Sequence, residues 1–146
     1  IPVFVAGHNA IETRINYNVM AEFDGVDLRD RYRLAHMYLA GDNYDGVAIE
    51  VSASLLAKRP EDVKLLFIIS DGQPNHGAYR GETAKKDIQE IVTKYRRKGV
   101  ITFATAIGSD RDKIREIYGD GYLDISDLSA FPKQLTRMVA KRLIRV

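Results

Sequence analysis

Short apolar runs and longer stretches of helical periodicity take turns along the chain, and their succession predicts its elements. The first run, Ile1-Pro2-Val3-Phe4-Val5-Ala6, closes at Gly7-His8-Asn9 and reads as a strand buried on both faces. Residues 13–23 alternate instead, with Ile15, Tyr17, Val19 and Ala21 set against Arg14, Asn16, Asn18 and Glu22. That is the period of a half-buried strand, suited to an antiparallel edge. From 27 to 39, Leu28, Tyr32, Ala35 and Leu39 recur at helical spacing. The polar loop Gly41-Asp42-Asn43-Tyr44-Asp45-Gly46 follows. A helix over 46–58 comes next, with Val47, Val51 and Leu55 on one face, Asp45 available as its N-cap and an end set by Pro60.

The most apolar segment, 63–69, has only strand length and stops at Ser70-Asp71-Gly72, the character of a central parallel strand. A loop bearing Gly and Pro over 73–82 separates it from the strongest helix. There Ala84, Ile88, Ile91, Val92 and Tyr95 form an apolar stripe that Gly99 ends. Residues 100–107 predict another strand, and Ser109 and Asp112 suit a capping box for a short helix stopped by Gly119. A last short strand over 122–125 precedes a C-terminal helix marked by Leu128, Phe131, Leu135, Met138, Val139 and Leu143. Strands alternating with helices imply right-handed crossovers. The fold class is therefore α/β, doubly wound, with a mostly parallel sheet, helices on both faces and one antiparallel edge strand. No internal repeat divides residues 1–146, which are read as one domain.

Composition narrows the chemistry. The 146 residues are 45 % hydrophobic, enough for a real core. With 22 Lys and Arg against 20 Asp and Glu, the net charge of +2 generates no field that would select nucleic acid or acidic lipid. The absence of Cys excludes disulfides, thiolate zinc sites, iron–sulfur ligation and a cysteine nucleophile. No apolar run approaches the ~20 residues of a membrane span, and a reducing, cytoplasmic setting fits. Residue 1 is not Met and lies in a strand already under way, so the chain is expected to begin inside a larger protein.

In open parallel sheets, ligands bind beyond the carboxyl ends of the strands, where loops and helix N-termini converge. Those ends here are Gly7-His8-Asn9, Ser70-Asp71-Gly72 and Gly108-Ser109-Asp110, with the loop Asp42-Asn43-Tyr44-Asp45 beside them if its helix docks there. Asp71 stands out, because a carboxylate at the end of the most buried strand needs a hydrogen-bond network, a helix N-terminus or a cation. A plain Asp-Gly turn is the alternative. His8, His36 and His76 have no zinc spacing, and the glycines form neither a dinucleotide nor a triphosphate loop, nor is there a G-x-S-x-G elbow. Lys85, Lys86, Lys94, Arg96, Arg97 and Lys98, with Lys133, Arg137, Lys141, Arg142 and Arg145, read as solvated helix faces. Without interleaved aromatics they do not point to nucleic acid.

The run Leu65-Leu66-Phe67-Ile68-Ile69-Ser70-Asp71-Gly72-Gln73-Pro74-Asn75, the long helix after it and the strand closing at Gly108 resemble a von Willebrand factor type A (VWA) domain. With Asp42-Asn43-Tyr44-Asp45-Gly46 before a helix, the chain is most similar to the VWA domains of the bacterial cobaltochelatase subunit and nitric oxide reductase activation protein group. The resemblance implies a metal-ion-dependent adhesion site, MIDAS, in which Asp71 matches the aspartate after the fourth strand. Asn43 and Asp45 occupy the position of the second loop, and Ser70, Gly72, His8, Asn9 and Ser109 fall on the rim. Such oxygen donors suit Mg2+, which keeps several waters. The family's D-x-S-x-S segment has no counterpart, because the chain starts at the family's second strand and lacks its first strand and first helix. Glu50-Val51-Ser52-Ala53-Ser54 mimics the spacing, but on a helix Ser52 lies about 200° around from Glu50, so these side chains cannot share one ion.

The resemblance implies a non-catalytic, metal-assisted protein-interaction module that couples a chelatase- or MoxR-type AAA+ ATPase to a client protein with an acidic contact residue. Its tasks would be metal insertion, as in a cobalamin-type cobaltochelatase, or metalloenzyme activation. A homo-oligomer or strand-swapped assembly would be one source of the missing strand. Two rival readings stay open: a hydrolytic or transfer enzyme using Asp71 as acid, base or metal ligand, and a metal-free docking domain.

Overall fold

A computed structural model of the chain describes residues 1–25, 27–37, 40–70, 72–107, 110–125, 129 and 131–143. The first strand, β1 (Val5–Ile11), starts later than its apolar run suggests and pairs antiparallel with β2 (Arg14–Ala21). Ile1 and Val3 are exposed, while Phe4 packs on Phe23, so the run is a lead-in to the strand rather than its body. Helix α1 (Leu28–Ala35) is capped by Asp27, whose carboxylate accepts the Asp30 N–H at 2.9 Å. Its large apolar residues Leu28 and Tyr32 face solvent and its buried residue is Asp30, held by Arg33 at 3.0 Å. Leu39, expected in the same stripe, lies outside the described residues.

Helix α2 (Asp45–Ala57) begins at Asp45 itself, with Tyr44 at the N-cap, so Asp45 is a first-turn residue and not the cap. Its buried face is Gly46, Ala48, Ile49 and Ala53. The expected apolar face of Val47, Val51 and Leu55 is exposed, at 40 %, 36 % and 37 %. Strand β3 (Lys64–Ser70) follows, then a small hairpin, β4 (Asn75–His76) with β5 (Tyr79–Arg80), inside the segment expected as a loop. Helix α3 (Gly81–Arg96) buries Ala84, Ile88 and Tyr95 as its stripe predicts, and Gly99, at φ +82°, turns the chain into β6 (Val100–Ala106). Helices α4 (Arg111–Tyr118) and α5 (Phe131–Leu143) complete the order. The expected last strand is reduced to a bridge between Ala104 and Tyr122.

Strands β3 and β6 run parallel, with Leu66 opposite Thr102 and Ile68 opposite Ala104. On one face Leu66, Ile68, Ala104 and Ala106 pack with Ile49, Ile88, Ile114 and Ile117 from α2, α3 and α4. On the other, Phe67 stacks on the buried Phe103, while Phe67 and Ile69 remain exposed. The class is α/β as expected, but among the described residues the strands form three two-stranded sheets rather than one. Among the described residues, β3 has a single hydrogen-bonded neighbour. Helix α2 touches both β1 and β3 and so joins the hairpin to the parallel pair.

Candidate functional site at the carboxyl end of the parallel strands

The polar groups gather where β3 and β6 end, as parallel-strand geometry requires. The loop before α2 reaches this pole because several contacts hold it. Ala10 and Asp42 exchange backbone hydrogen bonds at 2.8 and 2.9 Å, and Asn9 Nδ2 donates to Ala40 O at 2.5 Å. Asn43 N–H donates to Asn75 Oδ1 at 2.8 Å, and Asn75 N–H returns a bond to Asn43 O at 3.1 Å. His76 Nδ1 lies 3.0 Å from Asp42 Oδ2. The ring of Tyr44 stacks on Tyr79 with centroids 3.9 Å apart and planes 11° from parallel. The hairpin of β4 and β5 thus grips the loop residue by residue.

Beneath the loop, Asp45 is 5 % exposed and its Oδ1 lies 3.3 Å from His8 Nε2, close enough for an ion pair but not aligned as a hydrogen bond. Tyr79 donates to Asp87 Oδ2 at 2.6 Å. Burial, reinforced by that bond to a carboxylate, pushes the Tyr79 phenol far above the ordinary tyrosine value. Burial likewise raises Tyr118, with the Asp45 charge adding to it. A Cβ on Gly46 would collide with both the Tyr79 hydroxyl and the Asp87 carboxylate, so only glycine lets the helix start this close to them.

The turn after β3 is fixed by two side chains. Ser70 Oγ donates to Gly72 O and accepts the Gly72 N–H at 3.3 Å, and Asp110 Oδ2 accepts the Gln73 N–H at 3.1 Å. A Cβ on Gly72 would stand 3.5 Å from Asp110 Oδ2 and 3.7 Å from Asn43 Nδ2, so the two loops and the start of α4 meet around Gly72. Asp71 and Ser109 lie outside the described residues. Of the other expected site residues, Asn43, Ser70 and Gly72 come together here. His8 and Asp45 form a pair below the loop, and Asn9 braces the loop from behind. The expected capping box rests on Ser109 and so falls outside the described residues; α4 starts at Arg111 with Asp110 in the N-cap position, and the Asp110 side chain makes no cap bond.

The sequence reading placed Asp110 at a strand end, Asp42 in the loop and Asn75 in the motif after β3, but not their contacts, which act over separations of 32 to 37 residues that no local pattern encodes. The Glu50-Val51-Ser52-Ala53-Ser54 spacing is dispersed as helical geometry demands. Glu50 accepts from Lys94 and Tyr95, and Ser52 donates to Ala48 O and meets Tyr17. Lys85 likewise pairs with Glu82 and Glu116, so the basic residues of α3 are partly neutralised. Among the described residues no three or more His, Asp or Glu side chains are arranged to hold a metal ion, and no helix is long and apolar enough to cross a membrane.

An uncharacterized protein, PA0525, of Pseudomonas aeruginosa is 25 % identical over 146 residues, covering 94 % of this chain and 23 % of its own length. Protein NorD of Brucella melitensis is 30 % identical over 93 residues, covering 62 % of this chain and 15 % of its own, and protein NorD of Stutzerimonas stutzeri is 33 % identical over 92 residues, 60 % and 15 %. The chain therefore spans less than a quarter of the length of these relatives. No solved structure is significantly similar. The family described as the cobalamin biosynthesis protein CobT VWA domain matches residues 4–144, all but five residues of the chain. That match places the chain in the CobT VWA-domain family.

Proposed function

We propose that this domain is a metal-assisted protein-interaction module that works with a chelatase- or MoxR-type AAA+ ATPase in the cytoplasm. Its part would be in metal insertion or metalloenzyme activation. The observation that carries the reading is the convergence of the Asn43 loop and the Ser70–Gly72 turn at one pole of a CobT-family fold. Asn43 and Asp71 would face the cation, and Asp45 would add negative charge from beneath, next to His8. Amide and carboxylate oxygens suit a hard ion that keeps most of its water, so Mg2+ is the expected ion. The ion would offer an open position to an acidic side chain of a client, and the domain itself would catalyse nothing.

Magnesium titration of the purified chain, followed by NMR, tests this. The expected result is a saturable shift of the amides of Asn43, Gly72 and Gln73 that Asp71→Ala abolishes while the melting temperature holds. A wild-type protein that binds its client equally with and without chelator would instead mark a metal-free docking domain. Turnover of ester or phosphate substrates that is lost in Asp71→Ala would favour an enzyme.

A further inference from the structure

Helix α1 is amphipathic with its faces reversed. At helical spacing Leu28, Tyr32 and Ala35 share one side, and Asp30 lies on the opposite side. A helix lying on a sheet ordinarily buries its apolar stripe and leaves its carboxylates in water. Here α1 packs on β2, Asp30 is 5 % exposed and paired with Arg33, and Leu28 and Tyr32 are 80 % and 65 % exposed. The exposed ring is also held in place. Tyr32 stacks on His36 with centroids 4.0 Å apart, and His36 Nδ1 donates to Tyr32 O at 2.8 Å, so the ring has little rotamer freedom left to lose. A pre-positioned aromatic beside an exposed leucine is the makeup of a binding hot spot. Met37, just past the helix, is exposed as well and adds an adaptable side chain.

Charge decides what kind of surface would cover this stripe. Arg29 and Arg31 fall on either side of it, and both are exposed. Among the described residues neither makes an ion pair, since Asp30 holds Arg33 and the Asp27 carboxylate accepts the Asp30 N–H. An apolar ridge with carboxylates along both flanks would complement all four side chains, and a ridge at i, i+4 spacing packs best against another helix. Leu28 and Tyr32 alone offer too little apolar area to hold a lipid surface. We propose that the outer face of α1 docks an acidic amphipathic helix of a partner protein, whose apolar ridge covers Leu28 and Tyr32 while its carboxylates meet Arg29 and Arg31. This contact goes beyond the one at the pole and needs no cation.

The test is a titration of the whole chain, without Mg2+, with a synthetic helical peptide that carries leucine along one face and glutamate elsewhere. The expected NMR result is a saturable shift of amides within 28–37 that weakens as salt is raised. Leu28→Ala with Tyr32→Ala should weaken binding about tenfold or more. The melting temperature should hold, because both side chains are exposed. Arg29→Ser with Arg31→Ser should weaken binding too and flatten its salt dependence. The same peptide with lysine in place of glutamate should not bind. No saturable shift within 28–37, equal binding of the lysine peptide, or binding untouched by either double variant would overturn the proposal, as would shifts confined to the exposed Phe67 and Ile69 of β3. Phosphatidylserine vesicles that move residues 28–37 where the peptide does not would overturn it in favour of a lipid surface. Every readout is taken without metal, so a failure of the cation site at the pole leaves it unchanged.

Discussion

Tyr79 is held on three sides. Its ring lies on Tyr44, its hydroxyl donates to Asp87, and the Gly46 N–H approaches the same oxygen. This one residue joins the hairpin to the first turn of α2 and to α3, and so fixes where Asp45 begins the helix. None of that was visible in the sequence. Asp45 could be read as a helix-start residue, because Asp favours that place for local reasons. Its pairing with His8, 37 positions away, depends on how two elements dock. The raised pKa of Tyr79, with that of Tyr118, gives a pH dependence whose sign is fixed. Below the ordinary tyrosine value of 10.0 the phenols are neutral whether the chain is folded or not, and their contribution to stability is fully present. Above it the unfolded chain releases these protons while the folded chain retains them, so stability falls as the pH rises. Melting temperatures measured from about pH 9 to 11.5 should drop steadily, and Tyr79→Phe should drop less steeply.

At the level of elements, α3 was legible and α2 was not, and the difference lies in residue size. The buried side chains of α3 include Ile88 and Tyr95, large enough to set a visible period. Helix α2 packs through Gly46, Ala48 and Ala53 around a single Ile49, because close approach to its neighbours leaves room only for small residues. Val47, Val51 and Leu55 then carry the apparent period while facing outward. Ile49→Ala should therefore cost about 2–4 kcal/mol, within the range for emptying a packed site, and Leu55→Ala should stay within about 0.5 kcal/mol. Paired urea denaturation curves would measure both. The hairpin of β4 and β5 was missed because two-residue strands have no periodicity, although the glycine at its tip, Gly77 at φ +56°, marks the turn.

For the molecule as a whole, the α/β class could be read from the alternation of strands and helices, but the division into separate sheets could not. Periodicity reports which residues are apolar and is silent on which strand edges meet. The antiparallel pair of β1 and β2 contributes Ala10, Met20 and Ala21 to the buried set, whereas β6 is buried along most of its length among three helices. The two parts should open separately. In native-state hydrogen exchange, amides of 5–21 are expected to exchange through a lower-energy opening than those of β6. A single shared opening energy would instead mean that α2 couples the sheets into one cooperative unit. The stacked rings of Tyr44 and Tyr79 have a consequence of another kind. The chain contains no tryptophan, so its near-ultraviolet optical activity comes mainly from tyrosine, and two parallel rings in close contact couple their transitions. The loop that carries Asn43 thus has its own built-in chromophore pair, and any event that shifts it should change the sign or size of that band without a label.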